Sequence, residues 1–119
     1  MILAFTAKHV SCTEAIDEEI MQVLFDTIGE CDEDARATPY VLIGQDFEFP
    51  GPATIEWHDG SKYAGGARIR SVALARNRVV IKMDRTLEMD VQFSVGERQF
   101  ARLKDYLGKI IAPTVLTVL

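Results

Sequence analysis

The chain is short of the residues that usually carry chemistry. Its 119 residues hold two cysteines, Cys12 and Cys31, and two histidines, His9 and His58. Two thiols with eighteen residues between them make neither a disulfide framework nor a zinc knuckle, and they read as reduced cysteines of a cytoplasmic protein. No apolar run approaches the roughly 20 residues of a membrane helix. The tail 110–119 comes closest, and Pro113 interrupts it. The first ten residues lack a basic leader, and Thr6 and Lys8 break their apolar run, which argues against a signal peptide. Residues 14–34 contain no Lys or Arg, and no aromatic residue lies between Tyr63 and Phe93.

What is present is sorted by charge. Half of the eighteen acids fall in residues 14–34: Glu14, Asp17, Glu18, Glu19, Asp26, Glu30, Asp32, Glu33 and Asp34. Residues 62–85 are the basic extreme, with Lys62, Arg68, Arg70, Arg76, Arg78, Lys82 and Arg85 facing only Asp84. A chain of net charge −5 can thus present separate negative and positive regions, which steer association with charged partners.

The candidates for catalysis are few. His58 precedes Asp59, but Asp59-Gly60 reads as a turn, and acid–base work needs a positioned partner and a pocket. The acids of residues 14–34 lack the alternating spacing of a calcium loop, and no Cys/His cluster suggests zinc. Gly65-Gly66 is followed by a strand, whereas a phosphate cradle needs a helix N-terminus there, so close backbone packing is the plainer reading. Cys12 has no neighbouring base and reads as a structural thiol. The expectation is a binding domain, not an enzyme, with no cofactor and no metal.

The segment 86–95 alternates strictly, with Leu87, Met89, Val91, Phe93 and Val95 apolar, the period of a strand with one wet face. A turn on Arg85 sets Met83, Ile81 and Val79 opposite Leu87, Met89 and Val91, with Lys82 opposite Glu88. Upstream, Ile69, Val72 and Leu74 slip in phase near Arg70-Ser71, the mark of a bulge, and residues 75–78 form the next turn. Asp59-Gly60 suggests a two-residue hairpin between 55–58 and 61–63, and 40–49 reads as a strand. Residues 20–25 suit either a helix or a buried strand, residues 29–38 read as an exposed loop, and 114–119 as an extra strand or a partner's edge. Phe100, Leu103, Leu107 and Ile110 mark one helix, with Ser94 and Glu97 placed for a capping box.

One α+β domain follows: an antiparallel β-sheet of about six or seven strands, strand-rich over 1–95. A C-terminal α-helix at about 96–111 packs on one face, and a short tail covers 112–119.

From Pro39 onward the chain resembles the immunity protein 10 family of bacterial polymorphic-toxin systems. The residues that carry the likeness are Tyr40-Val41-Leu42-Ile43, Phe47-Glu48-Phe49, Ile55-Glu56-Trp57, Tyr63-Ala64-Gly65-Gly66-Ala67-Arg68-Ile69 and Ser71-Val72-Ala73-Leu74 with Arg76-Asn77-Arg78-Val79. The terminal run Phe93, Phe100, Leu103 and Leu107 completes it. The most specific piece is the Tyr-x-Gly-Gly-x-x-Ile step. The resemblance implies an α+β protein that binds a cognate toxin, favours a strand at 20–26, and makes a basic partner natural. An acidic patch of Asp17, Glu18, Glu19, Asp32, Glu33 and Asp34 would then meet the toxin. The alternative is a nucleic-acid-binding domain using Arg68, Arg70, Arg76, Arg78 and Lys82. No membrane partner is expected.

Overall fold

The computed structural model describes residues 2–17, 19–27, 39–49 and 51–119. Among the described residues ten strands and one helix follow in order: β1 Ile2–Thr6, β2 His9–Ala15, β3 Ile20–Asp26, β4 Tyr40–Asp46, β5 Thr54–His58, β6 Tyr63–Gly65, β7 Ile69–Ala75, β8 Arg78–Met83, β9 Glu88–Gln92, α1 Glu97–Ile110 and β10 Leu116–Val118. They form two five-stranded sheets, ordered β1-β9-β8-β7-β10 and β2-β3-β4-β5-β6. The α+β reading holds broadly, but the strands number ten in two sheets, not six or seven in one.

The first sheet is the basic hairpin region extended at both edges. Its β7-β8-β9 meander has the expected register, with Val79, Ile81 and Lys82 opposite Val91, Met89 and Glu88. The bulge is present between Ile69 and Ser71. The turn at residues 83–87 puts Arg85 (φ 60°) and Thr86 (φ 59°) in the left-handed region, and the Met83 amide reaches the Leu87 carbonyl at 2.8 Å. β1 then adds parallel to β9 and β10 adds parallel to β7. The tail is therefore a strand of its own sheet.

The second sheet is an antiparallel meander throughout. Residues 20–26, ambiguous by pattern, form its second strand. Met21, Val23 and Phe25 face inward and are buried, which a helix would not achieve with that spacing. The Asp59-Gly60 hairpin is present, but His58 pairs with Tyr63, so its loop has four residues instead of two. Asp59 explains the extra length: its Oδ1 accepts the amides of Ser61 and Lys62, both at 2.8 Å, closing an Asx-type turn. The strand expected over 40–49 stops at Asp46, where the Asp46 carboxylate takes the Glu48 amide at 3.0 Å and bends the chain.

The inner faces of both sheets share one hydrophobic cluster, with Val23, Phe25, Val41, Ile43, Leu74, Val79, Ile81 and Val91 fully enclosed. Each fully buried side chain of this kind contributes about 1.5–3 kcal/mol. The chain passes between sheets at Ala7-Lys8 and at 66–68. Gly66 stands at φ +83°, a conformation L side chains rarely adopt. At the second crossing the Asp84 amide donates to the Arg68 carbonyl and the Arg68 amide to Asp84 Oδ1, both at 3.0 Å.

Helix α1 packs against β3 and β2 and reaches β10. Leu103, Tyr106, Leu107 and Ile110 are its buried stripe, while Phe100 is half-buried. The capping box does not form: Gly96 is the N-cap and no side chain caps the helix. Side chains of the first turns are spent on the edge of β2 instead. Gln99 Nε2 donates to the Val10 carbonyl at 2.7 Å and Arg102 Nη2 to the Cys12 carbonyl at 3.1 Å. These bonds occupy carbonyls that an edge strand otherwise leaves open.

Candidate functional site

Register sorts the side chains of the second sheet onto two faces, since neighbours along a strand alternate. One outward row crosses all five strands as His9, Asp26, Tyr40, His58 and Tyr63. The next is Ser11, Leu24, Leu42, Glu56 and Gly65, and beyond it lie Thr13, Gln22, Gly44 and Thr54. Ala15, Ile20 and Asp46 complete the face. It carries three carboxylates, two tyrosines, two histidines and half-buried leucines, and no Lys or Arg among the described residues.

Within it, Tyr63 donates its hydroxyl to Glu56 Oε2 at 2.6 Å, and Tyr40 stacks on His58 with centroids 6.0 Å apart. Both tyrosine hydroxyls titrate above their usual range, Tyr63 mainly through its bond to Glu56, Tyr40 mainly through burial and then the Glu56 charge. Gly65 withholds a side chain beside Glu56 and Gly44 one beside Gln22, and a hollow of about 330 Å³ opens between Gln22, Leu42, Thr54, Glu56 and Tyr63.

At one end of the face the β2–β3 turn meets the loop after β4. The Phe47 amide donates to the Glu19 carbonyl at 2.7 Å. Ile16, Phe47 and Phe49 stand 66 %, 48 % and 63 % exposed there, and Ile16 and Asp17 hold positive φ of 54° and 51°. A β-branched residue in that region is strained, and this one stays mostly exposed. Beside this rim, Phe47, Phe49, Pro52, Ile69, Ile111 and Val115 line an open cavity of about 480 Å³.

Of the acidic residues expected to meet a partner, Asp17 and Glu19 lie at this rim. Glu18, Asp32, Glu33 and Asp34 fall outside the described residues, as does the loop at 29–38. The basic set is not gathered into one track. Arg78 makes a bidentate pair with Asp90, its Nε lying 2.7 Å from Oδ1, and Lys82 stands opposite Glu88. Arg76 donates to the Val95 carbonyl at 2.8 Å and lies 4.9 Å over the Phe100 ring. Arg68 and Arg70 are exposed near the bulge.

The catalytic candidates are occupied otherwise. His58 Nδ1 accepts the Gly60 amide at 3.0 Å, and Asp59 is bound to turn amides, so the two form no dyad. His9 and His58 lie three strands apart, about 14 Å at ordinary strand spacing. Among the described residues no group of three or more His, Cys, Asp or Glu could hold a metal ion. Cys12 is a partly buried free thiol, its pKa raised by that burial against the opposing effect of Arg102. Among the described residues no helix is long and apolar enough to cross a membrane.

No family model, curated protein or solved structure matches this chain.

Glu56 and Tyr40 were legible only as strand residues, and His58 as a catalytic candidate before a turn. Their alignment depends on register across five strands, and a linear charge count carries no trace of it. The signal that could have found them was parity: the outward positions of the five paired strands contain no Lys or Arg.

Proposed function

We propose that this chain is an immunity-type protein that binds and neutralises a cognate bacterial toxin by protein–protein contact, without catalysis. The outer face of the second sheet is its docking surface. The observation that carries this is the composition of that face: tyrosines, histidines and leucines around three carboxylates, with no Lys or Arg among the described residues. Aromatic anchors in a partly desolvated surface are the chemistry of binding hot spots. A face without cations favours a basic partner and repels an acidic one. The likeness to immunity proteins from Pro39 onward supports the toxin as that partner, and the cytoplasm of the producing cell as the place of action.

The first sheet's outer face supports no comparable role. On it Arg78 pairs with Asp90, and Lys82 stands opposite Glu88 in register. Nucleic-acid binding through Arg68, Arg70, Arg76, Arg78 and Lys82 would have to break the Arg78–Asp90 pair and the Arg76 bond to the Val95 carbonyl.

A tagged pull-down from the native organism's lysate, nuclease-treated and repeated at low and high salt, tests the reading. One stoichiometric partner with a toxin-like domain, lost on Tyr40→Ala with His58→Ala, is the expected result. Nucleic acid recovered without nuclease, and no protein with it, overturns it.

A further inference from the structure

We infer that the hollow beside Glu56 receives the guanidinium group of an arginine side chain presented by the protein partner. This deepens the function proposed above and rests on it for the partner's existence, though not for the hollow itself.

The hollow is made by absence of side chains. A Cβ on Gly65 would stand 3.2 Å from Glu56 Cβ and 3.3 Å from Tyr63 Oη, and one on Gly44 would stand 3.3 Å from Gln22 Cγ. Each substitution would push into the space. Its polar lining comes from Glu56, Thr54 and Gln22, with the Glu56 carboxylate as its acceptor of full charge. Glu56 takes one hydrogen bond, from Tyr63, and no cation pairs with it among the described residues. A half-buried carboxylate of this kind has capacity for a charge-assisted donor.

Two features favour guanidinium over ammonium. Tyr63 lines the hollow beside the carboxylate, and a planar, weakly hydrated cation stacks on such a ring. The polar lining is spread over β3 and β5, which suits a fork of donors better than a point charge. The face also decides the source. A free amino acid brings a carboxylate, and the outer face has no Lys or Arg to meet it among the described residues. An arginine within a chain has amides there instead, and its neighbours can cover Leu24 and Leu42.

The test needs no partner protein. Isotope-labelled protein is titrated at low salt with N-acetyl-arginine-amide, and separately with the lysine and citrulline analogues and with free arginine. The expected result is a set of amide shifts confined to Gln22, Gly44, Glu56, Gly65 and Gly66. Capped arginine should bind at least threefold tighter than capped lysine or citrulline, and no weaker than free arginine. Glu56→Gln should weaken it at least fivefold, and Gly65→Ala should weaken it with Glu56 intact. Equal responses to arginine and citrulline overturn the inference. So do equal responses to arginine and lysine, tighter binding of free arginine, or no effect of Glu56→Gln. A hollow that binds arginine while the pull-down finds no toxin-like partner would sink the function alone. A toxin bound equally by the Glu56→Gln protein would sink the hollow alone.

Discussion

The rings of Phe25 and Phe93 meet between the two sheets, their centroids 5.7 Å apart and their planes inclined at 39°. Phe25 belongs to β3 and is fully buried, while Phe93 follows β9 and is 3 % exposed. The pair joins sheets that have no backbone ladder between them. Phe25→Ala should therefore cost about 3–5 kcal/mol, the range for an enclosed aromatic, because it removes buried area and leaves a cavity. Phe25→Leu should cost less. Urea unfolding followed by Trp57 fluorescence measures both. A loss below about 1 kcal/mol for the alanine variant would mean the sheets do not pack through this contact.

Two turns carry strain that glycine would release. Ile16 and Thr86 are β-branched residues at φ 54° and 59°. The left-handed region costs an L residue about 1–2 kcal/mol, partly offset by the chain entropy that glycine adds to the unfolded state. Thr86→Gly should thus raise stability by up to about 1 kcal/mol, and Ile16→Gly by a similar amount. If the rim at Ile16 contributes to docking, Ile16→Gly will also speed dissociation of the recovered partner, while Thr86→Gly will not. Thermal unfolding and dissociation kinetics on the same two variants separate strain kept for binding from strain kept for nothing.

The sequence made the β8–β9 hairpin plain because both of its faces report the same register: Ile81 and Met89 inward, Lys82 and Glu88 outward. β1 was hidden because residues 2–6 are almost wholly apolar and have no alternation to read. β2 was hidden for the opposite reason: its inward positions after Val10 are Cys12 and Glu14, neither a strand-marking side chain. Two sheets were mistaken for one because alternation tells which face is buried but not against what. The acidic stretch at 14–34 misled in a related way. Parity sends Asp26 to the outer face, whereas Glu14 lies on the helix side, where its charge acts on Arg102. A patch drawn along the sequence is split by the fold.

Asp59 is held well by its turn. The amides of Lys62 and Ser61 donate to its carboxylate and hold its pKa below the usual 3.8. The sign follows: a lowered folded pKa contributes stability above the unfolded value and loses it as pH falls through the folded one. Asp59→Asn should therefore remove a fraction of the acid-limb slope below about pH 4 while leaving neutral-pH structure intact. Carbon-detected titration of the Asp59 carboxyl gives the direct check. A midpoint at or above 3.8 would mean that the β5–β6 loop does not keep its Asx-type closure in solution.

The alkaline limb has the opposite sign. Burial raises Cys12 from 9.0, the bond to Glu56 raises Tyr63 from 10.0, and burial together with Glu56 raises Tyr40 from 10.0. Each group is an acid whose neutral form the fold favours, so its contribution is whole below the unfolded pKa and is lost as pH rises through the folded one. Stability should fall from about pH 9 upward, first through Cys12 and then through the two tyrosines. Urea midpoints between pH 7 and 11 should show Cys12→Ser flattening the early part of that fall and Tyr63→Phe the later part. Arg102→Ala should move the Cys12 titration higher still, because the guanidinium opposes the effect of burial. Thiol alkylation against pH reads that shift without unfolding the protein. A Cys12 titration that moves downward on Arg102→Ala would mean the helix does not hold its first turns against the edge of β2.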